Sequence, residues 1–218
     1  MAGVRIQIFA FLFTIVFIPS AFTDGNSIII DDFESGIKKG WERKDFEGKT
    51  LYTVIKEKNG YALKAVSIGS ATGLIYRYKY DVREYPILTW RWKVENIIKK
   101  GNAYKKEGDD YAARVYVIFP HWFPFQTKSI NYVWANKLPK GGHTPNTYYK
   151  KSILVAVESG PENIGKWITE ERNVYEDYKK LFGGEPRMAG GVAIMTDTDQ
   201  TGERAVAYYD DIRLKKAP

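Results

Sequence analysis

Cysteine is absent from the 218 residues, and histidine occurs only at His121 and His143. The first absence excludes a disulfide scaffold, a thiol nucleophile, thiolate-held zinc and a lipid-modified N-terminal cysteine. Two imidazoles in unrelated contexts leave no recognisable metal centre or nucleophilic triad. No apolar run is long enough to anchor the chain: even the opening one, Ile6 to Ile18, falls short of the roughly 20 residues that span a bilayer. Regular alternation of strand-like and helix-like segments is missing as well, which argues against a parallel sheet of βαβ units.

What is present is a chain 44% hydrophobic and 15% aromatic, which excludes long disorder and supplies enough apolar surface for a good core. Residues 1–23 follow the plan of a secretory signal: one charge at Arg5, the apolar run, Pro19, and a small-residue site around Ala21 and Thr23. The expected mature chain is residues 24–218, one domain without a membrane span, released to the periplasm or the outside of the cell.

Runs rich in Val, Ile, Tyr and Trp, cut by Gly, Pro, Asn and Asp, predict strands over 28–33, 50–57, 61–66, 73–80, 87–94, 112–119, 130–134, 153–158, 192–195 and 205–214. One helix is predicted over Arg172 to Phe182, where Val174, Tyr178 and Leu181 share a face and Gly183-Gly184 follow. Many short strands with a single helical insertion make the expected fold all-β, an antiparallel β-sandwich of jelly-roll type. Two long connections, Asn96 to Asp110 and Pro120 to Ser129 with its continuation Asn136 to Lys151, are where binding residues belong on such a frame.

Alternation along LTWRWKV puts Leu88, Trp90, Trp92 and Val94 on one face, expected in the core, and Arg91 with Lys93 on the other. Arg77 pairs in the same way with Lys79, and Arg114 with Tyr116. If those three strands lie in one sheet, the arginines form a basic field suited to carboxylates, sulfates or phosphates. Trp122 and Phe123, beside His121, sit between Pro120 and Pro124, which keep the segment out of a sheet and offer flat faces to a ligand. Arg91, Arg114, Tyr116, His121, Trp122 and Phe123 are therefore the candidate ligand-binding residues. The DTDQTG stretch at 197–202 starts like a calcium loop but lacks the bidentate glutamate; a polar turn with Gly202 at positive φ explains it equally well. Glu158, Glu170 and Glu171 make a glycosidase pair only if the fold brings them together.

The terminal segments, DDFESG with Gly40-Trp41 and the closing YYDDIRL, resemble the first and last strands of galactose-binding-like jelly rolls, a group that includes many carbohydrate-binding modules. That resemblance implies a structural calcium ion at Glu34 and Asp210. Asp210 shares a strand face with Ile212 and Leu214, which points it inward, where a carboxylate needs a cation or hydrogen-bond partners. LTWRWKV, DDYAARVYVIF, ERNVYEDYKKLFG and GGVAIMTDTDQTGERAVAYYDDI resemble, over nearly the whole mature chain, the secreted proteobacterial family DUF3047, a domain of unknown function. This second resemblance implies export and a β-sandwich and transfers no catalytic residue.

The reading that follows is a secreted or periplasmic glycan-binding protein, its partner a glycan or another anionic envelope polymer. The alternatives are a polysaccharide-degrading enzyme, a lyase or hydrolase acting on an anionic glycan, and a structural envelope protein. No motif specifies a reaction. The net charge of +7 does not favour nucleic acid, because export separates the chain from most of it.

Overall fold

A computed structural model describes residues 23–217 as a two-layer sandwich, so the expected signal segment before Thr23 lies outside the described residues. The first layer is organised around β14 (Arg204–Lys215), twelve residues long. On one side it pairs with β7 (Ile87–Val94), and β7 with the edge strand β12 (Ile168–Asn173). On the other side its first half carries β5 (Gly60–Ile68) and β4 (Leu51–Glu57), and its second half carries β2 (Ser27–Asp31) and β1 (Thr23–Asp24). The handover is a bulge at Asp211, whose φ is 54°.

The second layer runs β10 (His143–Pro145), β11 (Ser152–Ser159), β9 (Lys128–Ala135), β8 (Arg114–Phe119), β13 (Ala189–Asp197), β6 (Ala71–Tyr80) and β3 (Trp41–Glu47). All its neighbours are antiparallel except β9 and β11, a parallel pair joined through the long connection after Ala135. The strands absent from the sequence reading include β3 and β12, both edge strands whose charged residues hide the alternation.

Alternation decides what fills the space between the layers. Trp90 and Trp92 of β7 are fully buried, as expected, and meet Tyr132 and Trp134 of β9, with ring centroids 5.3 Å and 5.8 Å apart. Each such ring contributes about 2–3 kcal/mol of transfer free energy. Helix α1 (Val174–Phe182) closes one end of the sandwich: Asn173 caps it by accepting from Glu176 N, and Tyr178 packs edge-on against Phe119. The DDFESG segment is held by Asp31, fully buried, which accepts from Phe33 N, Lys38 N and Trp41 Nε1. No helix among the described residues is long and apolar enough to cross a membrane.

Two expectations are corrected here. The basic field does not form, because Arg77 and Arg114 belong to the second layer and Arg91 and Lys93 to the first. Each is also ion-paired: Arg77 with Glu42, Arg91 with Asp210, Lys93 with Glu57 and Arg114 with Asp197. Asp210 faces outward beside Arg91 rather than inward, because the bulge at Asp211 shifts the alternation before Ile212 and Leu214 return to the core.

Candidate functional site

The outer face of the second layer carries a groove. Phe46, Gly73, Ile75, Tyr116, Ile118, Ala193 and Met195 form an apolar bed across β3, β6, β13 and β8, and Tyr149 stands at its far side. The bed continues into a polar floor lined by Asp109, Arg114, Asn131, Asn146, Tyr148, Asp197 and Gln200. Both long connections build this half. They cover part of β9 and β11 with a small second core, including Ala103, Tyr111, Leu138 and Leu154, and so raise a wall beside the groove.

Arg114 organises the floor. Its Nε donates to Asp197 Oδ1 at 2.7 Å, its other nitrogens reach Asp197 Oδ2, the Asp109 carbonyl and the Tyr116 hydroxyl, and its guanidinium lies over the Tyr111 ring. Burial works against its charge, but Asp197 and then Tyr116 outweigh that and raise its pKa. Asn146 sets the tyrosines: its side-chain oxygen accepts from Tyr148 N and Tyr149 N, and the Tyr149 hydroxyl donates to the Thr127 carbonyl at 2.6 Å.

Asn131 differs from its neighbours. It lies on the outer face of β9 opposite Tyr116, is 1% exposed, and neither its amide nitrogen nor its amide oxygen has a hydrogen-bond partner. Asp109 Oδ1 in the same floor is likewise buried without a partner. Buried polar atoms are nearly always paired, because leaving one unmade costs about 1–3 kcal/mol.

Of the residues singled out from sequence, Arg114 and Tyr116 meet in this floor, while Arg91 lies on the outer face of the other layer beside Trp167, 4.9 Å from its ring centroid. Trp122 and Phe123 lie on a projecting turn; Trp122 is 88% exposed, and His121, Phe123 and Phe125 stack in a row. Glu34 Oε1 accepts from Tyr61 N, and Asp210 is bound by Arg91 at 2.6 Å; burial pushes the Asp210 carboxyl up to about 6 against the pull of Arg91. Asn131, Asn146 and Asp109 were missed. The legible signal for Asn131 was an amide in the middle of an otherwise apolar strand.

Two acidic groupings complete the picture. Asp110, Asp197 and Asp199 bring carboxylate oxygens within 4.8 Å of one another, but Asp197 is neutralised by Arg114, and Asp110 accepts from the backbone of Gln200 and Thr201. Gly202 has the positive φ of the polar-turn reading, 69°. At the open edge between layers, a cavity of about 180 Å³ is lined by Glu170, Glu171, Arg172, His143 and Lys140. Burial, and then the nearby Glu158 carboxylate, push the Glu170 carboxyl up to about 7, while Glu158 itself is bound by Lys140 and Asn163.

The family described as a protein of unknown function, DUF3047, matches residues 39–213. The chain belongs to that family. No curated protein matches it. Among solved structures, it is similar to the family 11 carbohydrate-binding module of the cellulosomal cellulase Lic26A-Cel5E of Clostridium thermocellum, at 14% identity and a TM-score of 0.49, over 89% of this chain and 97% of that one. The family 30 carbohydrate-binding module of Cel9D-Cel44B from the same organism aligns at 8% identity and a TM-score of 0.47, over 81% and 91%. A non-crystalline cellulose specific module, CBM28, aligns at 14% identity and a TM-score of 0.46, over 88% and 97%.

Proposed function

We propose that this DUF3047 chain is an exported glycan-binding protein, periplasmic or extracellular, and that the groove on the second layer is its binding site. The observation that carries the reading is Asn131, with a buried donor and a buried acceptor both unpaired in the floor. A sugar hydroxyl donates and accepts at once and so answers both atoms. Asp109 Oδ1 offers a second acceptor close by, while Ile75, Ile118, Ala193 and Met195 take the apolar face of a ring between Phe46 and Tyr149. Arg114 is a positioning residue, its bonds spent within the floor. A glycan-array screen of the mature chain, followed by titration of the best hit into wild type and Asn131→Ala, tests this. The expected loss is roughly tenfold or more, with the melting temperature kept. Absence of any glycan hit, or unaltered affinity in the variant, rejects the reading.

A second reading, glycan hydrolysis at the open edge, is favoured by one observation: the Glu170 carboxyl, pushed up to about 7 by burial and the nearby Glu158, lines a cavity together with His143 and Lys140. A carboxyl raised by burial, with a second carboxyl nearby, is what a general acid and its partner need. Release of reducing ends from a bound polysaccharide by wild type but not by Glu170→Gln would establish it.

A further inference from the structure

Beyond the groove, where β8 ends and β9 begins, a separate cavity of about 250 Å³ is lined by Phe119, Pro120, His121, Gln126, Lys128, Tyr178 and Arg187. Among the described residues no carboxylate lines it, and most of its polar side chains offer hydrogen-bond donors. Lys128 Nζ donates once, to the Tyr178 hydroxyl at 3.1 Å, and has no acidic partner among the described residues. Arg187 has no hydrogen bond or ion pair among the described residues, unlike the four strand arginines and lysines treated above. His121 Nδ1 accepts from Phe123 N at 3.0 Å, so the ring proton of the neutral imidazole sits on Nε2. The Gln126 side-chain oxygen is taken by Lys151, which leaves its NH₂ group to donate.

We propose that this cavity is an oxyanion site, and that it receives the carboxylate, sulfate or phosphate substituent of an acidic polysaccharide. A guanidinium, an ammonium, an imidazole N–H and an amide NH₂ lining one cavity without a built-in carboxylate match a group with several anionic oxygens. A recessed pocket takes one substituent at a time, whereas a flat basic surface would suit a membrane. The sugar ring that bears the substituent meets the stacked row of His121, Phe123 and Phe125, which starts at the pocket wall. Thr127 and Ser129 line the groove while Gln126 and Lys128 line this cavity, so the two sites adjoin across the start of β9. The substituent class rests on the glycan reading above; the donor set does not.

Polygalacturonate and the same polymer fully methyl-esterified form a matched pair of probes, differing at one group on each sugar, an anionic carboxylate in the first and a neutral methyl ester in the second. Wild-type mature chain is expected to bind the acid form about tenfold more tightly at low salt, with the preference shrinking as salt is added. Lys128→Gln combined with Arg187→Gln should abolish the preference while leaving affinity for the ester form and the melting temperature unchanged. Acid preference that survives in the double variant overturns the proposal, as does co-sedimentation with phosphatidylglycerol vesicles in the absence of polymer binding. The groove reading fails by a different result, Asn131→Ala binding the ester form as wild type does.

Discussion

Asn146 donates from its side-chain nitrogen to Asp109 Oδ2 at 2.6 Å, a bond that ties one long connection to the other across the head of the groove. Both residues are buried, and the Asn146 oxygen holds Tyr148 and Tyr149 from the opposite side of the same amide. One side chain therefore links both connections and both tyrosines at the groove wall. Asn146→Ala should cost about 1–3 kcal/mol, since it leaves the Asp109 carboxylate short of a donor. It should also weaken glycan binding, by releasing two tyrosines at once. Denaturant melts and titration of a glycan hit check both; a variant that keeps full stability and affinity would show that the wall has other supports.

The Arg114 and Asp197 side chains are 5% and 3% exposed. Arg114→Met strands a buried carboxylate and should cost about 3–5 kcal/mol. Adding Asp197→Leu should recover most of that, because the loss comes from the unpaired charge. If the double variant proves as unstable as the single one, the damage lies in the bonds to the Asp109 carbonyl and Tyr116 instead.

Glu170 gives a pH dependence with a definite sign. Its folded value, raised from 4.5 to about 7, means the native state keeps a proton that the unfolded chain releases in that range. Stability from this group is thus greatest below about pH 4.5 and declines as pH rises to about 7. Glu170→Gln retains an acceptor for Trp92 Nε1, which lies 3.2 Å from Oε1. Thermal melts should show the variant level with wild type near pH 4 and more stable near pH 8. Asp210, raised to about 6, adds a slope of the same sign to both proteins and cancels from the difference.

Trp122, 88% exposed on its turn, buries little surface and so contributes little to folding. Trp122→Ala is expected to leave unfolding nearly unchanged, as thermal melts of the variant and wild type will show. A fall of about 3 kcal/mol in stability, the signature of a core aromatic, would contradict its placement.

By itself the sequence determined the local features, because these depend on neighbours in the chain. The alternation in Leu88 to Val94 predicted which face of β7 is buried, and the helical spacing from Val174 to Leu181 predicted α1 within two residues of its start. Flanking prolines kept Trp122 out of a sheet, and the lack of βαβ alternation gave an all-β sandwich. Edge strands such as β3 escaped, since one face in water and charged residues on it leave no apolar period to read. Only the tertiary structure decided sheet membership, which depends on backbone pairing between distant segments; it separated Arg91 from Arg114 although both sit on strands of apolar and aromatic residues. It also decided where the bulge at Asp211 turns Asp210 outward. The groove floor is of the same kind: Asp109, Asn131 and Asn146 are unremarkable in sequence, and they become a site because the connection from β7 to β8 and the one joining the parallel pair β9 and β11 meet over the outer face of β9 and close these side chains away from water.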